Sequence, residues 1–286
     1  MTFPDRLAAA ALACGNTACV GIDPHLDRLP EPLARGVVDR QGWAAAVTTF
    51  GLGVVDAVAG VVPIIKPQVA FFEALGAPGV AALETVIRAA RSRGLLVLVD
   101  AKRGDIGSTA AAYARAILDD DGLGADAVTL SPYLGPESLA PFLAHCPQKG
   151  LFVLLRTSNP GAGEWQAGPH GAAQRVAEWV ATANAECPST DPGPVGVVVG
   201  GTIPPDEVRA WRRRLPKAWF LVPGVGAQGA AAHVATAHAR ADKLGALVTS
   251  SRAVLFPASG REGTDWREGV AARARGFASD VASALR

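Results

Sequence analysis

The stretch LLVLVDAKRGDIGSTAAAYA, residues 95–114, decides the fold. Its first five residues form an unbroken apolar run, the pattern of a strand buried on both faces. The run ends abruptly in Asp100, Lys102, Arg103 and Asp105, and an Ala-rich helical segment follows. Charges crowded at the carboxyl end of such a strand lie where it leaves its cover. In α/β proteins that edge carries the chemistry.

Working outward, the same pattern recurs. Short Val/Ile/Leu runs that stop at Gly, Pro or polar residues predict strands at 17–23, 61–66, 95–100, 126–130, 151–157, 195–200, 219–224 and 246–251. Helical segments are expected near 41–59, 72–93, 107–118, 136–145, 171–186, 204–214, 228–240 and 265–285. Each can cross back and restart a parallel strand. Eight alternating strand–helix units predict an α/β fold, the (β/α)8 TIM barrel, as a single domain over residues 1–286. The Pro-rich CPSTDPGP at 187–194 reads as a loop, because a domain boundary there would split the barrel.

Composition narrows the function classes. With 27 basic against 26 acidic side chains and a formal net charge of +1, the chain carries no electrostatic footprint for nucleic acid or an anionic membrane. Any anionic ligand must be held locally. Cys14, Cys19, Cys146 and Cys187 lack metal-site spacing and read as reduced cytosolic thiols and small core residues. The five histidines are scattered without ligand spacing, so no metal site is expected. The opening LAAAALACG, residues 7–15, is read as a first helix rather than a leader, and no run reaches the length of a membrane span.

Asp100 and Lys102 stand two residues apart, so continued extended geometry would send both side chains to the barrel mouth. Asp23 ends the first strand and Lys66 the second. A solvated charged turn explains any one of these residues. Four such charges on three adjacent strands, predicted at one mouth, point instead to pairing and functional use. Neighbouring carboxylates favour an ammonium form, which suits Lys102 to proton donation and argues against a Schiff-base lysine.

At the opposite side of the same mouth, VPGVGAQGA (222–230) places Gly224, Gly226 and Gly229 before a helix, and TSSRAVLF (249–256) brings Arg252 beside it. Loops after strands seven and eight are the usual phosphate cradle of a barrel. A simple glycine turn and a rim salt bridge are the alternatives. RTSNPG at 156–161 offers hydroxyl and amide groups for a polar heterocycle, or a turn.

Taken in order, VGIDPH, IIKPQVAFFE, DAKRGDIGSTA, RTSNPG, VPGVGAQG and SSRAVLFP resemble the orotidine 5'-phosphate decarboxylase family over nearly the whole chain. The segment LLRTSNPGAGEWQ resembles that family's second, longer bacterial subgroup. The resemblance implies decarboxylation of orotidine 5'-phosphate to uridine 5'-phosphate without a cofactor, in pyrimidine synthesis in the cytoplasm. It implies a catalytic array of Lys66, Asp100, Lys102 and Asp105, with Lys102 the proton donor. Asp23 and Lys66 would contact ribose, Ser158 (or Thr157) would read the pyrimidine, and Gln228 with Arg252 would hold the phosphate. The partners implied are a small-molecule nucleotide substrate and a second copy of the chain, in a homodimer with shared active sites to which Asp105, Ile106 and Thr109 cross. A Mg²⁺-dependent sugar-phosphate decarboxylase and a non-catalytic phosphate-binding barrel are the competing readings.

Overall fold

In the computed structural model, eight parallel strands close on themselves in chain order. It describes residues 1–168, 170–187, 191–224, 232–258, 262–263 and 265–285. The strands are β1 (Ala18–Ile22), β2 (Ile64–Pro67), β3 (Leu96–Arg103), β4 (Ala127–Leu130), β5 (Gly150–Arg156), β6 (Val195–Val199), β7 (Phe220–Val222) and β8 (Ala246–Ser250). The sheet closes where β1 pairs with β8 through Ala18–Val248 and Cys19–Thr249. This is the single-domain (β/α)8 barrel.

Strand alternation divides the core in two. Val20, Ile65, Val97, Val99, Val128, Leu151, Val153, Val197, Phe220 and Val248 face outward and pack under the helices. Cys19, Ile64, Leu96, Leu98, Ala127, Phe152, Val198, Leu221 and Leu247 belong to a second cluster that fills the barrel interior. Because side chains alternate with a period of two, the inward positions of β1 to β4 continue upward into residues 23, 66, 100 and 129. The same parity that packs the interior delivers polar side chains to its mouth.

The first helix, Phe3–Cys14, is specified locally. Thr2 and Asp5 form a reciprocal capping box, and Gly15 ends the helix in the left-handed region at φ 67°. The helix covers the amino-terminal end of the barrel. Phe3 and Leu7 join the interior cluster, and Phe3 meets Phe152 edge-on at 6.3 Å. Gly150 makes room for Phe3, since a Cβ there would lie 2.2 Å from its ring.

Several expectations need correction. The helix expected at 72–93 is two, Val69–Glu73 and Gly76–Ser92, separated where Gly76 takes φ 65°. The segment 136–145 holds only a 3-10 turn, Pro136–Ser138, and the short helix Ala140–Leu143. Of 228–240, residues 228–231 lie outside the described residues, and the rest forms Ala232–Val234 and Ala235–His238. Of the loop expected at 187–194, residues 188–190 lie outside the described residues, and the chain re-enters the barrel at β6. Asn184 staples the loop's far end, donating to the Val195 carbonyl at 2.8 Å and accepting from its N–H at 3.0 Å. Only Cys19 is a core thiol; Cys14, Cys146 and Cys187 are half-buried, and all four are free. Among the described residues no helix is long and apolar enough to cross a membrane.

Phe3→Ala would open a void against Gly150 and Phe152, at an expected cost of about 3–5 kcal/mol. A matching fall in unfolding free energy, measured by denaturant titration, checks the role of this helix in closing the barrel.

Candidate active site

The mouth of the barrel holds a cavity of about 780 Å³ lined by Lys66, Asp100, Lys102, Thr129, Thr157, Ser158, Asn159, Gln166 and Thr202, among others. That is the size of a small-ligand site. Asp100 lies at its floor, 6 % exposed, and takes four hydrogen bonds. Lys66 Nζ donates to Oδ2 at 2.7 Å and Gln68 Nε2 to the same oxygen at 3.1 Å. Lys102 Nζ donates to Oδ1 at 2.6 Å, and the Thr129 hydroxyl donates to that same Oδ1 at 2.8 Å. A carboxylate offers about four lone-pair sites, so Asp100 is saturated. Toward a ligand it acts as a fixed negative charge, not as a free acceptor.

Burial works against the charge of Asp100, but the ammonium groups of Lys66 and Lys102 outweigh it and hold the carboxyl well below the usual carboxylate range. Lys66 is the mirror case. Burial alone would lower its pKa, yet the charges of Asp100 and Asp23 and the hydrogen bond to Asp100 raise it above the ordinary lysine value. Lys66 is 5 % exposed and locked beneath the cavity, whereas the Lys102 side chain is 45 % exposed to it. The two lysines share one counter-ion but differ in reach.

The expectation of continued extended geometry through Ala101 needs qualification. β3 runs on to Arg103, but its register with β4 shifts between Val99 and Arg103, and Lys102 sits at φ 45°. A non-glycine residue in that region carries backbone strain, a feature that gathers at functional sites. The Lys102 N–H donates to Thr129 Oγ1 at 3.0 Å, which helps hold the irregular turn. Asp100 and Lys102 therefore meet through a bulge, not through regular pleating.

Asp23 stands in the opposite condition to Asp100. Its Oδ1 is buried without a hydrogen-bond partner among the described residues. An orphaned carboxylate oxygen just beyond the carboxyl end of β1 is an acceptor awaiting a donor, such as a ligand hydroxyl. Asp105, in contrast, is not hydrogen-bonded into the Lys66–Asp100–Lys102 array; its Oδ1 accepts from the Ile106 N–H at 2.8 Å. It is also absent from the cavity lining, and Ile106 and Thr109 are exposed beside it. The chain turns away after Gly104, so the fourth charge of the expected array stands apart from the other three.

Ser158 lines the cavity, tight against the end of β6, where a Cβ on Gly200 would lie 3.0 Å from Ser158 Cβ. The Thr157 hydroxyl is engaged with Asn159 Oδ1 at 2.6 Å and with Gln166 Nε2 at 2.8 Å. Arg252 is exposed at the start of the short helix Arg252–Leu255 after β8. Gly224 takes φ 99° at the end of β7. Gly226, Gln228 and Gly229 lie outside the described residues. Among the described residues no three His, Cys, Asp or Glu side chains gather as a metal site.

Sequence reasoning did not single out Gln68, Thr129, Thr202 or Gln166. Gln68 was legible by parity, two residues beyond Lys66. Thr129 reads as an ordinary strand residue until the barrel turns it toward Asp100.

A closed barrel with a saturated carboxylate–lysine array at the carboxyl ends of its strands defines the class: a (β/α)8-barrel enzyme. A protein-family profile described as Orotidine 5'-phosphate decarboxylase / HUMPS family matches residues 19–262. The chain is 46 % identical over 269 residues to a Rhodopirellula baltica protein named orotidine 5'-phosphate decarboxylase, covering 90 % of this chain and 89 % of that one. It is 40 % identical to one of the same name from Roseiflexus castenholzii, over 100 % of this chain and 99 % of that one. A solved structure of Leishmania donovani OMP decarboxylase superposes with a TM-score of 0.79 at 33 % identity, covering 100 % and 99 % of the two chains. This chain belongs to the orotidine 5'-phosphate decarboxylase / HUMPS family and is an enzyme of its decarboxylase branch.

The array also sets a pH dependence of stability. Asp100, with its pKa lowered on folding, contributes stability that is full above about pH 4 and is lost as pH falls toward its folded value. Lys66, raised on folding, contributes below about pH 10 and loses that contribution as pH rises through its folded value. The stability difference between the protein and Asp100→Asn should therefore shrink as pH falls below about 4. Denaturant unfolding across acidic pH reads this directly, and a difference independent of pH would contradict it.

Proposed function

We propose that this chain converts orotidine 5'-phosphate to uridine 5'-phosphate and CO₂ without a cofactor, with Lys102 as the proton donor. The observation that carries this reading is the Lys66–Asp100–Lys102 array, in which one lysine is buried and the other faces the cavity. The bond from C6 to the carboxylate carbon breaks and its electron pair remains on C6. Ammonium Lys102 stabilises that developing charge and transfers its proton to C6, becoming an amine that is reprotonated from solvent. Asp100 is held ionised by two ammonium groups and saturated with donors, so it does not compete for the proton. Its negative charge lies beside the departing carboxylate and favours loss of neutral CO₂.

The remaining roles follow the chemistry of each group. Asp23, with its orphaned buried oxygen, accepts a ribose hydroxyl, and Lys66 lies next to it in charge contact. Ser158, which lines the cavity just beyond the end of β5, reads the pyrimidine, with Thr157 beside it as the alternative. Gln228 and Arg252 hold the 5'-phosphate, whose binding energy positions the ring over Lys102. The enzyme acts in the cytoplasm on a free nucleotide, with neither nucleic acid nor membrane as partner.

The active unit is a homodimer with shared sites. The exposed Ile106 and Thr109, with Asp105 outside its own chain's cavity, support a contribution from Asp105, Ile106 and Thr109 to the neighbouring site.

Ultraviolet monitoring of orotidine 5'-phosphate in excess EDTA tests the chemistry. The unmodified protein should turn over at full rate, and Lys102→Ala should lose at least about 10²-fold in kcat while retaining uridine 5'-phosphate binding. Activity restored only by Mg²⁺ would favour a metal-dependent sugar-phosphate enzyme. Mixing Lys102→Ala with Asp105→Ala chains tests the shared site. Random pairing makes about half the dimers mixed with one intact site each, so roughly a quarter of all sites should regain activity. No recovery despite demonstrated heterodimers would remove Asp105 from the neighbouring site.

A further inference from the structure

Beyond the end of β5 at Arg156, the chain loses its strand partners just where Ser158 must be placed. The backbone N–H of Thr157 donates instead to Oε1 of Gln166 at 2.8 Å, and Gln166 Nε2 donates back to the Thr157 hydroxyl at 2.8 Å. One side-chain amide thus grips both a backbone and a side-chain group of the same residue. The Thr157 carbonyl accepts from Arg156 Nη1 at 3.2 Å, and Arg156 is itself fixed by Glu207 at 2.8 Å. Thr157 is held at its N–H, hydroxyl and carbonyl, and Ser158 is the next residue. On its other side, Ser158 abuts Gly200.

Gln166 is the last residue of the short helix Ala162–Gln166. It is only half-buried, whereas Glu164 and Trp165 beside it are exposed. It borders the catalytic cavity and also a second cavity of about 470 Å³ lined by Tyr133, Trp165 and Trp179. Its amide is oriented by its partners: the oxygen must meet the Thr157 N–H, which leaves the nitrogen for the hydroxyl.

We propose that Gln166 is a positioning residue that sets Ser158 for pyrimidine recognition by clamping Thr157 through both its N–H and its hydroxyl. This rests on the reading of Ser158 as the pyrimidine contact. Gln166 acts through Thr157, and its effect is confined to the part of the ligand that Ser158 reads.

Affinities for uridine 5'-phosphate and ribose 5-phosphate, measured by calorimetry, isolate that effect. The unmodified protein should prefer the nucleotide. In Gln166→Ala, and in Gln166→Met, which keeps the volume but neither hydrogen bond, that preference should fall about tenfold or more. Ribose 5-phosphate affinity should stay within about twofold, reporting an intact phosphate end and fold. Gln166→Glu keeps an acceptor for the Thr157 N–H and should recover part of the preference. An unchanged preference in both Gln166→Ala and Gln166→Met, equal loss for both ligands, or Gln166→Glu no better than Gln166→Ala would overturn the clamp. An unmodified protein with no preference for the nucleotide would instead overturn the pyrimidine reading of Ser158.

Discussion

A single buried negative charge, that of Asp100, organises the mouth of this barrel. Removing a carboxylate from water costs several kcal/mol, and the structure offsets this with two ammonium groups, an amide and a hydroxyl, drawn from three adjacent strands and the residue just beyond β2. Each donor is in turn placed by the carboxylate it serves. Lys66 can remain charged at 5 % exposure only because Asp100 and Asp23 lie beside it. The array is interdependent, and loss of its centre would leave the buried Lys66 ammonium with Asp23 alone to compensate it.

That arrangement requires a rigid floor. Ile64, Leu98, Ala127 and Leu247 fill the interior, and the helix Phe3–Cys14 closes its far end with Phe3 and Leu7. The barrel interior is therefore packed protein, not a channel. Water and ligand reach the charged groups from one side only, and the low-polarity surroundings strengthen each electrostatic contact. At the mouth the backbone strains where reach matters: Lys102, at φ 45°, departs from strand geometry to bring its ammonium beside Asp100 while remaining open to the cavity.

Two carboxylates in one mouth have opposite capacities. Asp100 has every lone pair occupied, whereas Asp23 keeps a buried oxygen without a partner. The first presents charge, and the second presents an acceptor. Around them the segments at the mouth are tied to one another: Thr129 to Lys102, Gly200 to Ser158, and Gln166 to Thr157. A rigid scaffold with recognition on tethered loops is the usual economy of this fold.

The strand ends were legible in the sequence because period-two alternation and abrupt termination are local properties. The run 95–99 followed by Asp100 announces a buried strand and its active edge without any knowledge of its neighbours. The eightfold βα rhythm was enough for the barrel, and the ordered motifs for the family. Tertiary structure alone decided which polar groups meet. Thr129 and Asp100 are 29 residues apart in the chain, and their contact arises from strand pairing across β3 and β4. Asp105 joined the array only through the family resemblance, and within this chain the turn after Gly104 directs its carboxylate to the Ile106 N–H. Gln166 carried no signal in the sequence, and only the fold-back of the chain sets it against Thr157. Propensity and pattern act over a few residues, whereas hydrogen-bond partners depend on closure of the whole barrel. The charges at the strand ends, and their gathering at one mouth, could therefore be read from sequence, whereas the full set of donors that meets Asp100 could not.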